Sequence, residues 1–197
     1  MIKQLIAAAL FCLVLGCNSS GTHTSVEKPS ALNDSDSALL AEVRAAPEPE
    51  AKKVKVFNDV KAVQNKLSEI GLGEMRTWRY DGIGWLSSCN YFQFGHSNGE
   101  GLKNNLALYL ESPSESFVQV AKLKVNIPNM NEKQQALKTY TKNAEKLFNA
   151  LALQMPNGLK DALLSGKKFE YHDNKMIVRN IYEDGNWDSY KVQIETF

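Results

Sequence analysis

Residues 54–197 predict an α+β fold, with an antiparallel sheet of about six to seven strands and helices packed on one face. Three observations lead there. Apolar residues recur at helical spacing in two separated blocks, and alternating stretches fill the intervals. Asp-Gly or Asp-Asn pairs stand between neighbouring alternating stretches, where tight turns belong. Separated helical blocks and hairpins do not suit a parallel array. Helix then strands, followed by helices then strands, also suits a duplicated helix-plus-strands unit, although no residue-level repeat accompanies it.

The first helix is expected over 58–70, where Val60, Val63, Leu67 and Ile70 share a face, Asn58 serves as a cap and Gly71 marks the stop. Strands follow over 76–80 and 84–94, joined by Asp81-Gly82. In 104–110, Leu106, Leu108 and Leu110 take one face and Asn105, Ala107 and Tyr109 the other. Ser112-Pro113-Ser114-Glu115 turns the chain into a strand over 117–125, which Pro128 ends. The strongest helix spans 131–153, its stripe made by Ala136, Leu137, Tyr140, Ala144, Leu147, Phe148 and Leu151. Pro156-Asn157-Gly158 breaks it, and a shorter helix over 159–164 stops at Gly166. Strands over 168–172, 175–182 and 187–196 close the chain, with turns at Asp173-Asn174 and Asp184-Gly185. Tyr190, Val192 and Ile194 alternate there with Ser189, Lys191, Gln193 and Glu195, so one face is wet.

The chain has 197 residues and a formal net charge of +1. Residues 54–197 carry 18 basic and 16 acidic side chains. A nucleic-acid partner calls for a stronger basic excess or a recognisable motif, and neither is present. Upstream, residues 18–53 change composition to Ser, Thr, Asn, Asp, Ala and Pro, and Pro47-Glu48-Pro49 interrupts any helix begun by 38–46. Too little of this stretch is apolar to offset the entropy of ordering it, so a disordered tether is expected. As a flexible coil it reaches roughly 30–36 Å. A short docking helix carrying Leu39, Leu40 and Val43 is the alternative there.

The first residues hold a different pattern. Lys3 precedes an apolar run from Leu5 to Leu15, which ends in Val14-Leu15-Gly16-Cys17. The run is short for a permanent span and suits a secretory leader. Its ending resembles the lipobox of bacterial lipoproteins, a resemblance confined to residues 1–18. The resemblance implies removal of residues 1–16, diacylation of Cys17 through its sulfur, and a new amino terminus open to a further acyl chain. Two or three chains hold a protein on a membrane far longer than one. In enterobacterial lipoproteins an aspartate after the cysteine retains the protein at the inner membrane. Asn18 therefore implies the periplasmic face of the outer membrane, with the outer face of the cytoplasmic membrane as the alternative. An ordinary leader with an ordinary cysteine, or an uncleaved anchor, remains open on the residues alone. Of three cysteines, Cys12 lies in the leader and Cys17 in the lipobox, so Cys89 has no internal disulfide partner.

Candidate chemistry is sparse. Cys89 with His96 or His172 is the minimum for a thiolate–imidazole nucleophile, although Cys89 on a strand beside Trp85 and Tyr91 also reads as a packed apolar group. Glu170 with Asp173 is a possible acid pair, but His172-Asp173 reads more naturally as a turn. Asp184 to Asp188 has some calcium-like oxygen chemistry without the loop length or closing glutamate of an EF-hand. No His/Cys cluster has ligand spacing, so no metal or cofactor is expected and no catalytic residue is assigned. His23 falls in the tether. The loop over 95–101, with His96 and Asn98, and the aromatics Trp78, Trp85, Tyr91 and Trp187 are the candidate binding residues. Together these features suggest a membrane-anchored, non-catalytic module for an envelope protein, of inhibitor, immunity or assembly-accessory type. The alternatives are an envelope hydrolase built on Cys89 and a structural link from membrane to cell wall.

Overall fold

The computed structural model describes residues 54–197; the leader, Cys17, the tether and the Leu39/Leu40/Val43 pattern lie outside the described residues. A 3-10 turn, Lys55–Asn58, leads into α1 (Val60–Ser68). Asp59, rather than Asn58, caps this helix, accepting from the Ala62 N–H at 2.9 Å. The helix ends at Ser68, whose hydroxyl bonds back to the Gln64 carbonyl and accepts from the Met75 N–H. That local competition for backbone groups shortens the expected 58–70 span.

Eight strands follow in one sheet: β1 (Arg79–Tyr80), β2 (Trp85–Ser88), β3 (Phe92–Phe94), β4 (Asn104–Ser112), β5 (Val120–Ile127), β6 (Phe169–His172), β7 (Met176–Glu183) and β8 (Asp188–Thr196). Their order is β1-β2-β4-β5-β8-β7-β6, with β3 also on β4, and every pair is antiparallel. Outward from the central β5–β8 pair, the order is β4 then β2 and β3 on one side, and β7 then β6 on the other. The strands thus form two meanders, β1 to β5 and β6 to β8, that meet at the β5–β8 pair. The outermost strands are short, two residues in β1 and four in β6.

The expected strand over 84–94 is divided. Ser88 faces Tyr109 and Phe92 faces Leu106, so three residues on one strand span two on the other. One extra residue makes a bulge at Asn90-Tyr91. At its edge the Cys89 N–H bonds the Leu108 carbonyl at 3.1 Å, while the Leu108 N–H points to Cys89 Sγ at 3.1 Å.

Register and burial separate the two faces. Leu106, Leu108 and Leu110 of β4, Leu123 and Val125 of β5, Val178 of β7, and Val192 and Ile194 of β8 belong to one hydrophobic cluster. The same cluster contains Val63 and Leu67 of α1. It also holds Leu137, Tyr140 and Leu147 of α2 (Lys133–Ala150), and Leu159 and Leu163 of α3 (Leu159–Ser165). The opposite face carries a charge ladder: Lys122 with Glu111, Lys124 and Lys191 with Glu183, and Arg179 with Glu195 and Glu170.

The long helix is shorter than its periodicity implies. Met130–Glu132 forms a 3-10 turn before it. It ends ahead of the Pro156 break because Ala152 takes a left-handed conformation, φ 53°. The Leu153 N–H then closes the end on the Phe148 carbonyl. Alanine gives no hint of such a stop, which usually falls to glycine. By contrast, Gly158 and Gly166 bracket α3 in left-handed conformations, φ 83° and 62°. A Cβ on Gly166 would also lie 3.0 Å from the Tyr190 hydroxyl.

One buried polar link ties α2 to the sheet. Tyr140, fully buried, donates to Asn180 Oδ1 at 2.9 Å, and Asn180 Nδ2 donates to the Lys167 carbonyl at 2.7 Å. Tyr140→Phe strands the Asn180 oxygen without water, and a loss of about 1–3 kcal/mol is expected in denaturant unfolding. Leu147→Ala, which opens a cavity in the same core, is expected to cost about 2–5 kcal/mol.

Candidate functional site

The β1–β2 hairpin turns on Gly82-Ile83, one residue beyond the expected Asp81-Gly82 pair. Asp81 N–H bonds the Gly84 carbonyl, and the Asp81 carboxylate accepts from the Ile83 and Gly84 N–H groups, each at 3.0 Å. Those two N–H groups hold the Asp81 carboxyl below the usual carboxylate range, Gly84 contributing most. Gly82 takes φ 102°, and a Cβ at Gly84 would sit 2.9 Å from the Ser112 carbonyl oxygen. The two glycines thereby present Ile83 at the tip, 94% exposed.

Behind the tip stand three aromatics. Trp78 and Trp85 stack with centroids 6.4 Å apart and an interplanar angle of 22°. Tyr80 lies 6.1 Å from Trp85 at 55°. Trp78 Nε1 donates to the Glu115 carbonyl at 3.0 Å, which fixes the ring while leaving it half-buried. Trp85 faces Ser112, on the side of the sheet that carries Leu110 and Leu108. Around the strand edge, on the other face, opens a groove of about 520 Å³ bounded by Ile83, Leu86, Tyr109, Pro113 and Val120. Its main charged wall, Glu111, is paired with Lys122.

The other candidate binding residues lie elsewhere. Tyr91 projects from the bulge, exposed, beside Tyr109. Burial, and then Tyr91, push the Tyr109 hydroxyl well above its ordinary range. His96, Asn98 and Trp187 belong to the opposite end of the sheet, where Ile127 meets Asp188. The length of β5 puts that end about 25 Å from the hairpin tip. The aromatics therefore do not converge on one sheet face.

At that far end the 95–101 loop is internally braced. Asn98 Oδ1 accepts from the Glu100 and Leu102 N–H groups at 2.9 Å, so this side chain builds the loop. Glu132 receives both His96 Nδ1, at 2.6 Å, and the His96 N–H, at 3.0 Å. These bonds, led by the imidazole, hold the Glu132 carboxyl below its ordinary value. Trp187 is 39% exposed on the β7–β8 turn. Within that calcium-like segment, Asp188 is held by Lys133 at 2.6 Å and by the Tyr182 hydroxyl at 3.0 Å. An ammonium already occupies the charge a cation would neutralise. Among the described residues, no group of three or more His, Cys, Asp or Glu side chains is placed to hold a metal.

The nucleophile candidates do not assemble. Cys89 is buried, and burial pushes its thiol above the ordinary value. His172 is on β6, five strand steps away and so about 24 Å distant. His96 is held by Glu132. His172 instead meets Glu170 on its own strand, two residues back and therefore on the same face. Asp173 accepts from the Lys175 and Met176 N–H groups, the turn role. Glu170 also approaches Arg179, so the two acids do not form a working pair.

Sequence reading missed Ile83, the groove residues Leu86 and Tyr109, and a row of lysines on α2. An apolar residue flanked by Gly82 and Gly84 was the signal available for the first. No protein-family description, curated protein or solved structure matches the chain.

Two outcomes follow from these environments. The Cys89 peptide is expected to take up a thiol reagent only after denaturation; labelling at a free-thiol rate in the folded chain would contradict its burial. The second concerns Glu183, whose bonds to Lys124 and then Lys191 lower its carboxyl to about 2 from an ordinary 4.5. A depressed folded value means the stabilisation is complete above pH 4.5 and is lost as pH falls towards 2. With solvent screening, about 1 kcal/mol is expected from these partly exposed pairs. Unfolding midpoints of Glu183→Gln measured against pH should lack that part of the acid slope.

Proposed function

We propose that the chain is a lipid-anchored, non-catalytic interaction module that binds another protein of the bacterial envelope. In this reading Cys17 carries the acyl chains, the 18–53 stretch is the tether, and the folded domain works at the periplasmic face of the outer membrane. The hairpin tip and its groove form the binding surface. One observation carries it: Ile83 stands almost fully in solvent, backed by the Trp78–Trp85–Tyr80 stack and bordered by an apolar groove. Clustered aromatics beside a pocket are what protein interfaces use as anchors. A tether raises the effective concentration of such a surface for partners near the membrane.

The braced 95–101 loop and Trp187 are assigned no contact in this proposal. The experiment is photo-crosslinking in the native envelope from a reactive residue at position 83, with adducts identified by mass. A specific protein adduct is expected. Trp85→Ala should weaken its binding by about 30-fold, the size of an aromatic hot spot of about 2 kcal/mol. Trp187→Ala, at the other end, should leave it unchanged. Absence of any specific protein adduct would refute the partner. An intact leader or a bare Cys17 thiol in the natural material would refute the anchor.

A further inference from the structure

The hairpin groove leaves the outer surface of α2 unexplained. Lys138, Lys142 and Lys146 follow one another at four-residue intervals, all exposed, along a cleft of about 320 Å³. Like charges at that spacing destabilise a helix. The one carboxylate of α2, Glu145, is paired with Lys160 at 2.7 Å. Among the described residues no carboxylate pairs with any of the three lysines, whereas Lys122, Lys124, Lys133 and Lys191 each have one. Lys146 makes a single neutral contact, donating to the Ile70 carbonyl at 3.0 Å. Phe92, 41% exposed, also lines the cleft.

We propose that this three-lysine cleft docks the domain onto the phosphate-bearing headgroups of an anionic bilayer. The helical rise spaces the ammonium groups about 6 Å apart over roughly 12 Å. A single small anion would engage only part of that row, while a surface of repeated phosphates engages all of it. Near an anionic bilayer each lysine adds attraction equivalent to about fivefold in partition. Phe92 adds the apolar contact typical of interfacial elements. The inference rests on the anchored reading only for keeping headgroups within reach.

The test uses the whole chain mixed with neutral phosphatidylcholine vesicles, or with vesicles containing phosphatidylglycerol. An amine-reactive reagent is applied and its uptake at each lysine read by mass. Labelling of Lys138, Lys142 and Lys146 is expected to slow at least about fivefold on the anionic vesicles, and high salt should restore it. Lys103 and Lys175, exposed elsewhere, should react equally on both. Lys138→Gln with Lys142→Gln, at exposed positions, should relieve the protection of Lys146. Equal rates on both vesicles would overturn the proposal. So would equal protection by inorganic phosphate on neutral vesicles, or protection appearing only when envelope protein is added. Sedimentation with neutral vesicles reports the anchor separately, so loss of one reading leaves the other measurable.

Discussion

β5 and β8 come from opposite halves of the domain, and their eight paired residues, Val120 with Glu195 through Ile127 with Asp188, join those halves into one sheet. Every other strand pair connects neighbours within a half. Such a non-local pairing closes a long loop before any contact rewards it, so the register needs specific support. A polar chain on the wet face supplies it. Ser189 donates to Asn126 at 2.8 Å, and Asn126 donates to Asn105 at 2.9 Å, crossing β8, β5 and β4. Sliding β8 by one residue would break this chain and turn Tyr190, Val192 and Ile194 out of the core.

That register also decides what the two faces can do. The ladder from Lys122 to Arg179 spends opposite charges on one another, so most of the wet face has little free charge to offer. The surfaces left with unspent chemistry are at the margins: the apolar tip at Ile83 and the lysine row on α2. Both lie outside the regular sheet. Rigid strands position them, but neither contributes to the pairing pattern.

Much of the architecture was legible because alternation and helical spacing report burial directly. The Leu106/Leu108/Leu110 face, the α2 stripe and the Gly166 stop are examples. What escaped depends on single residues departing from their usual role. Ala152 bends left-handed, Asp59 caps in place of Asn58, and one surplus residue at Asn90-Tyr91 splits a strand whose pattern looks continuous. The candidate sites were less legible than the fold. Trp78, Trp85 and Trp187 were visible as residue types, but only strand order puts the first two about 25 Å from the third. His172 illustrates the same point: its partner is Glu170, the same-face neighbour, and not the adjacent Asp173 whose carboxylate serves the turn.

The brevity of the two outermost strands has a consequence for crowding. An incoming chain that tried to extend the sheet would find β1, two residues, and the separate β3, three residues, on one border and β6, four residues, on the other. Neither offers a run of free backbone groups long enough to template growth. Short, interrupted borders of this kind disfavour strand-to-strand association between neighbouring copies.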